Sequence, residues 1–249
     1  MSKSSPFEAV HQKLGANFSE YNGWRLPSDY GDPAAEARAI DEGIAAFDLS
    51  SFGKISIKGP ISKAVVENLL PADTDIPAEG LWIWAGFGDK QEKITDLIRV
   101  GNIDGNYMVF TSPENREAVF TSVQQIANEK GPEDVKVVDL TEKTGMLGVY
   151  GPSAVTAVGN ILPFDISGVG KEGICNVSFF MMSVTIVRGS WVGADGFELL
   201  CPAMACNMAG AAISKYHARE NMTPAGMESL QKAIAAAKPP FSGSNLPRE

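Results

Sequence analysis

The run KITDLIRV places a carboxylate, Asp96, where a strand should carry aliphatic side chains. Strand alternation puts Ile94, Asp96, Ile98 and Val100 on one face, and Thr95, Leu97 and Arg99 on the other. An ionised carboxylate held away from water without partners costs on the order of several kcal/mol. Asp96 must therefore be protonated, hydrogen-bonded, paired, or turned toward a ligand cavity. The last arrangement suits acid/base chemistry; an internal ion pair or a turn-capping role meets the same constraint equally well.

A second carboxylate stands in VTIVRGSWVGADGFELL, which reads as strand, Gly-rich turn, strand, with Glu198 between Phe197 and Leu199. A solvated strand glutamate alternating with apolar neighbours explains this pattern. The alternative is that Gly193 and Gly196 let the backbone approach a flat ligand while Glu198 accepts two parallel N–H bonds from an amidine-like edge. Such a charge-assisted fork is strong and geometrically selective.

The elements that must hold these groups form a repeat. GPISKAVVENLLP (59–71) and GPSAVTAVGNILP (151–163) share Gly-Pro at the start, Val66/Val158, Asn68/Asn160, Leu70/Leu162 and the closing proline. Each follows an extended run, and each is followed by strands and then a helix. The first strand group, 81–111, reads as three strands broken around Asp89-Lys90 and Asp104-Gly105, with a helix over 113–128. The second covers 174–201, with a helix over 202–216. The fold class expected is α+β, with two related halves of antiparallel strands and packed helices. The organisation expected is an N-terminal segment (1–50) packed on the core, halves at 51–140 and 141–238, and a flexible tail (239–249). Each half contributes one of the two acids.

Other segments support this frame. A short helix is expected over 6–14, and 18–31 reads as aromatic and turn-rich without a clear period. Asp32-Pro33 predicts an N-cap and first helical position, with the helix running to about Glu42 and ending at Gly43. Thr223-Pro224 predicts the start of a helix whose Met227, Leu230 and Ile234 make an apolar stripe. GVGKEG (168–173) has dinucleotide-binding letters but neither the strand before nor the helix after, so it reads as a loop.

Composition removes several classes. The net charge of -9 and pI near 4.8 argue against a nucleic-acid partner. Apolar stretches are too short to span a bilayer, and the first residues lack a secretory pattern. Three cysteines without CxxC spacing fit a reducing cytoplasm rather than a zinc site or disulfide framework. With only His11 and His217, a histidine-based metal site is not expected.

SPFEAVHQKLGANFSEYNGWRLPSDYG, FDLSSFGKISIKGP, KITDLIRV, TSPENRE, LGVYGPSA and VGADGFELLCP, in this order, resemble the tetrahydrofolate-binding aminomethyltransferase (T-protein) family of the glycine cleavage system and its methyltransferase and demethylating relatives. The resemblance implies a protein that binds tetrahydrofolate and transfers a methyl or aminomethyl group to it from a small donor. It implies a catalytic role for Asp96, and a Glu198 that binds the pterin edge. Trp84 and Trp191 stand where the family usually carries tyrosines near the cofactor, and Ala194 replaces an acid. Thr111 or Ser112 falls where relatives often carry an asparagine that contacts the pterin. Leu230 stands at a family arginine position and Ala236 at a glutamate position. The further β domain that usually follows is expected to be lacking, so a partner protein could supply it. The alternative the resemblance offers is a non-catalytic folate-binding subunit, like the small subunit of heteromeric sarcosine oxidases.

Overall fold

A computed structural model of the chain describes residues 2–88, 94–179, 181–217 and 219–237. The break expected at Asp89-Lys90 and the tail at 239–249 lie outside the described residues. The chain opens with β1 (Lys3–Ser4), α1 (Glu8–Lys13), β2 (Asn17–Tyr21), β3 (Trp24–Asp29), α2 (Pro33–Glu42) and β4 (Ala45–Asp48). Next come β5 (Gly53–Lys58), α3 (Ser62–Leu69), β6 (Trp82–Gly88), β7 (Ile94–Ile103), β8 (Asn106–Thr111), α4 (Arg116–Lys130) and β9 (Lys136–Asp139). The remainder is β10 (Thr144–Tyr150), α5 (Ala154–Ile161), β11 (Ile174–Phe179), β12 (Met182–Arg188), β13 (Gly196–Pro202), α6 (Cys206–His217), β14 (Thr223–Ala225) and α7 (Met227–Ala236).

Two compact units result. One is Phe52–Thr141; the other joins residues 2–51 with 142–237. The first unit is an antiparallel sheet in the order β6-β7-β8-β5-β9. Its core packs Val65, Val66 and Leu69 of α3 and Val119, Val123 and Ala127 of α4 against Ile55, Ile57, Ile98, Val100 and Val109. Each such aliphatic side chain contributes about 1.5–3 kcal/mol on burial, which fixes the strand register. The second unit has a sheet ordered β11-β12-β13-β10-β4-β14, with α5 packed on Val149, Ile186 and Phe197. A smaller sheet, β1-β3-β2, belongs to the same unit.

The sequence repeat is a structural repeat. β5, α3 and β6–β8 match β10, α5 and β11–β13 in connectivity and strand order. The shared glycines do identical work. Gly59 and Gly151 both have φ +128, and a Cβ would lie 2.4 Å from the Asp134 carbonyl oxygen and 2.3 Å from that of Gly43. Each glycine carbonyl then accepts the first N–H of the following helix, from Ser62 and Ala154 respectively, both at 3.0 Å. Only a residue without a side chain turns the chain so closely under its neighbour.

The helix predicted at Asp32-Pro33 forms, with the Asp32 side chain accepting the Ala35 N–H at 2.9 Å. Two expectations are corrected. Residues 17–29 are not irregular but a hairpin turning at Asn22-Gly23, both left-handed (φ 49 and 78). Thr223–Ala225 does not begin a helix. It pairs in parallel with β4, and α7 starts only at Met227, because three backbone registers on the sheet edge outweigh the helix-start signal of Thr-Pro.

Candidate functional site

Asp96 sits near the start of β7, opposite Phe87 and on the face that carries Ile98 and Val100. It is half-buried. Its Oδ2 accepts the backbone N–H of Ser112 at 3.2 Å. Ser112 belongs to the turn between β8 and α4, and its hydroxyl accepts from the Asn115 backbone and side-chain nitrogens, both at 3.3 Å. The Asn115 amide also donates to the Thr95 carbonyl at 3.3 Å, tying the turn to β7 beside the carboxylate. Among the described residues Asp96 has no ion pair with a lysine, arginine or histidine. Burial pushes its carboxyl above the ordinary range, against the bonds from Ser112, and nearby Glu114 adds to the rise. Desolvation outweighs the hydrogen bonds from Ser112 and the Leu97 backbone, so the group holds a proton more readily than a free aspartate. Helix α4 begins at Arg116, three residues later than Pro113, and those residues form the turn that fixes Asp96.

The opposite face of that sheet is a separate environment. Trp84 pairs with Arg99, so its side chain leaves the sheet on the side away from Asp96. It is buried, edge-on to Trp82 at 5.8 Å. The Arg99 guanidinium, fully buried, lies 5.2, 5.4 and 5.4 Å from the ring centres of Trp82, Trp84 and Phe110. This is a cation packed on aromatic faces. Thr111 is buried, and its hydroxyl donates to the Ser112 carbonyl at 2.7 Å. Of the residues singled out in the first half, the structure brings together Asp96 and Ser112. Trp84 lies on the opposite face of the sheet from them.

Glu198 lies in the middle of β13, between Gly148 of β10 and Val187 of β12, and is fully buried. Its Oε1 accepts the Tyr150 hydroxyl at 2.8 Å. Gly148 makes this bond accessible, because a Cβ there would meet the Tyr150 ring at 2.7 Å. Gly196 is required for a different reason than ligand approach. A Cβ there would lie 2.1 Å from the Val149 carbonyl oxygen, so strand pairing itself demands glycine. Trp191 is buried in the β12–β13 loop. The base of the loop is clamped by Arg188, which donates from Nε and Nη2 to the two Asp195 oxygens at 3.3 and 3.0 Å. That fork holds the Asp195 carboxyl below the usual carboxylate range. The two acids are not counterparts under the repeat. Glu198 opposes Gly148, three residues before Gly151, while Met108 opposes Ser56, three residues before Gly59. Glu198 thus corresponds to Met108, on the face away from α5, whereas Asp96 lies on the helix-bearing face of its own sheet.

Two buried acids escaped the sequence reading. Asp48 accepts from the Ser5 hydroxyl, from His11 Nε2 at 2.9 Å and from the Ser50 N–H at 2.8 Å. His11 Nδ1 meets the Tyr30 hydroxyl at 2.7 Å. Burial alone would raise the Asp48 carboxyl, but His11, Ser5 and Ser50 together bring it below the ordinary range. A cavity of about 30 Å³, room for one water, lies against His11, Tyr30, Phe47 and Asp48. Glu36, on α2, accepts from the N–H groups of Tyr30 (2.6 Å) and Gly226 (2.9 Å) and from the Ser229 hydroxyl (3.1 Å). It fastens β3 and α7 to α2. The only sequence signal for either was an acid or histidine within an apolar run, which a solvated face produces equally often.

A chain with this strand-helix-strands repeat has known relatives. The chain belongs to the family of the GCVT N-terminal domain, whose profile matches residues 7–235. It is 28% identical to an aminomethyltransferase of Cutibacterium acnes, over 98% of this chain and 67% of that protein. It is 25% identical to one of Saccharopolyspora erythraea, over 99% and 67%. The chain therefore spans about two thirds of the length of the curated relatives it matches. Among solved structures, the glycine cleavage system aminomethyltransferase T of Bartonella henselae superposes with a TM-score of 0.81 at 20% identity, over 94% of this chain and 62% of that one. A chain of the heterotetrameric sarcosine oxidase of Corynebacterium sp. U-96 does so at 0.50 and 14%, over 85% and 95%. At these identities the two structures establish the shared fold.

Proposed function

We propose that the protein binds tetrahydrofolate and takes part in transfer of a methyl or aminomethyl group to it, with Asp96 as the catalytic acid/base. The observation that carries this reading is the Asp96 carboxyl: half-buried on an apolar face, held by the Ser112 N–H, and with proton affinity raised. A carboxyl whose proton affinity is raised by burial is suited to taking up and releasing a proton during a reaction. In the reaction, the reduced pterin would supply the nitrogen that accepts the one-carbon unit. Asp96 would hold or move the proton at that nitrogen, and the Ser112 turn would keep the carboxylate in place.

The remaining residues fit a pterin in part. Glu198 is held in one orientation by Tyr150, as recognition of a parallel pair of N–H donors requires. Trp191 sits in a loop whose base is fixed by Arg188 and Asp195, a rigid wall for a flat ring. Trp84 does not fit direct contact beside Asp96, since its side chain leaves the opposite face, and the Thr111 hydroxyl, donating to the Ser112 carbonyl, has only acceptor capacity left for a ligand. An odd count of three cysteines without CxxC spacing agrees with a cytoplasmic setting.

A second reading, a folate-binding subunit that does not turn over, is favoured by one observation. Leu230, at the family's arginine position, is fully buried in α7 and offers no cation there. Its similarity to a chain of a heterotetrameric oxidase supports the idea of a partner that completes the site. Calorimetric titration with a reduced folate, read in parallel by tryptophan fluorescence, tests the shared core of both readings. Saturable binding is expected; no binding at millimolar folate would leave a scaffold without ligand. Transfer by the purified chain, or only with a copurifying partner, separates the two.

A further inference from the structure

We infer that Cys201 and Cys206 form an oxidisable dithiol pair, a reversible modification site joining the end of β13 to the first turn of α6. Their Sγ atoms lie 3.6 Å apart. A disulfide needs about 2.05 Å, so the sulfurs must approach by roughly 1.6 Å, a shift within the reach of side-chain rotation. The space for this contact is built in. Gly145 pairs with Cys201 across the sheet, and a Cβ on it would sit 2.4 Å from the Cys206 sulfur and 2.6 Å from the Phe7 ring. Both sulfurs share an apolar cluster with Phe7, Leu147 and Ala205, while Cys175, on β11, packs with a different cluster.

The two thiols differ in role. The hydrogen bond with Cys206 lowers the proton affinity of Cys201, while that bond and burial raise Cys206. Cys201 keeps some exposure where Cys206 is fully buried, so it is the member an oxidant reaches first. It is 7% exposed, at the point where the strand gives way to the Ala203–Ala205 turn, whose Met204 is 86% exposed. With a peroxide as oxidant, the Cys201 thiolate attacks one oxygen, an S–O bond forms, the O–O bond breaks and hydroxide leaves. The Cys206 sulfur then attacks the Cys201 sulfur, forming S–S and releasing the oxygen as water with the Cys206 proton. The two sulfurs together lose two electrons, and the peroxide gains them. A dithiol reductant reverses the step by exchange.

The test is to treat the fully reduced chain with one equivalent of hydrogen peroxide, count thiols, and map peptides by mass. Two of the three thiols should disappear, with a Cys201–Cys206 cross-linked peptide lighter by two hydrogens and restored by dithiothreitol. Cys175→Ser should behave like the parent, and Cys206→Ser should accumulate a sulfenic acid at Cys201 that dimedone traps. Oxidation of Cys175 with the pair still reduced, or sulfinic acid at Cys201 without a cross-link, overturns the inference. The wild-type peptide map decides the matter even if a variant fails to fold.

Discussion

The backbone N–H of Ser112 donates to the Asp96 carboxylate across 3.2 Å, and this bond loses to burial in setting the proton affinity of the acid. A raised carboxyl favours the folded state in its protonated form. Its contribution is present at low pH and lost as pH rises through the folded value. Asp96→Asn should therefore melt higher than the parent at pH 7, by about 2 °C, and the gain should vanish in acid. Calorimetric scans at pH 7 and pH 4 check the sign. A lower melting temperature at pH 7 would mean that the ionised carboxylate is satisfied in the fold.

The Asp48 network predicts the opposite pH response. Because the folded Asp48 carboxyl lies below its unfolded value, its stabilisation is present at neutral pH and lost as pH falls through the folded value. His11→Ala removes one donor from a buried carboxylate, which costs about 3 kcal/mol at pH 7. It should also move the acid limb of the stability profile to higher pH. Urea denaturation across pH 3–7 measures both; an unchanged acid limb would show that Ser5 and Ser50 suffice.

Gly59→Ala and Gly151→Ala should each destabilise by about 2–3 kcal/mol, since both place a Cβ against a carbonyl at positive φ. Hydrogen exchange should report the first loss in 52–141 and the second in the other unit. Unequal costs would mean that the two turns are alike in sequence but not in constraint.

Glu198→Gln keeps an acceptor for the Tyr150 hydroxyl, so the variant should fold normally. If the charge of Glu198 recognises the pterin edge, affinity for a reduced folate should drop by about 10–100-fold, the worth of one charge-assisted bond. Calorimetry on folded protein reads this directly, and parent-like affinity would assign Glu198 a purely structural role.

How far the fold could be read from residues depended on whether local chemistry or distant pairing decided each element. Asp32-Pro33 capped its helix as written, and the Gly-Pro repeat announced two halves, because glycine at positive φ is a local requirement. The face shared by Asp96, Ile98 and Val100 followed from alternation alone. β14 did not, since Thr-Pro opens helices and enters edge strands alike, and only β4 selects between them. The hairpin at Asn22-Gly23 carried a readable turn signal that its aromatic, proline-containing flanks obscured. In the candidate site, the partner of Asp96 was invisible because it is a backbone N–H, which every residue type but proline presents. The burial of Arg99 was not legible because alternation shows which face a side chain takes, and not whether that face is covered.

The most direct measurement is one-carbon transfer to tetrahydrofolate by Asp96→Asn, with folate affinity determined on the same preparation. If the Asp96 carboxyl moves the proton, affinity should stay within about tenfold of the parent while transfer disappears. Transfer at the parent rate with normal folate binding would contradict it.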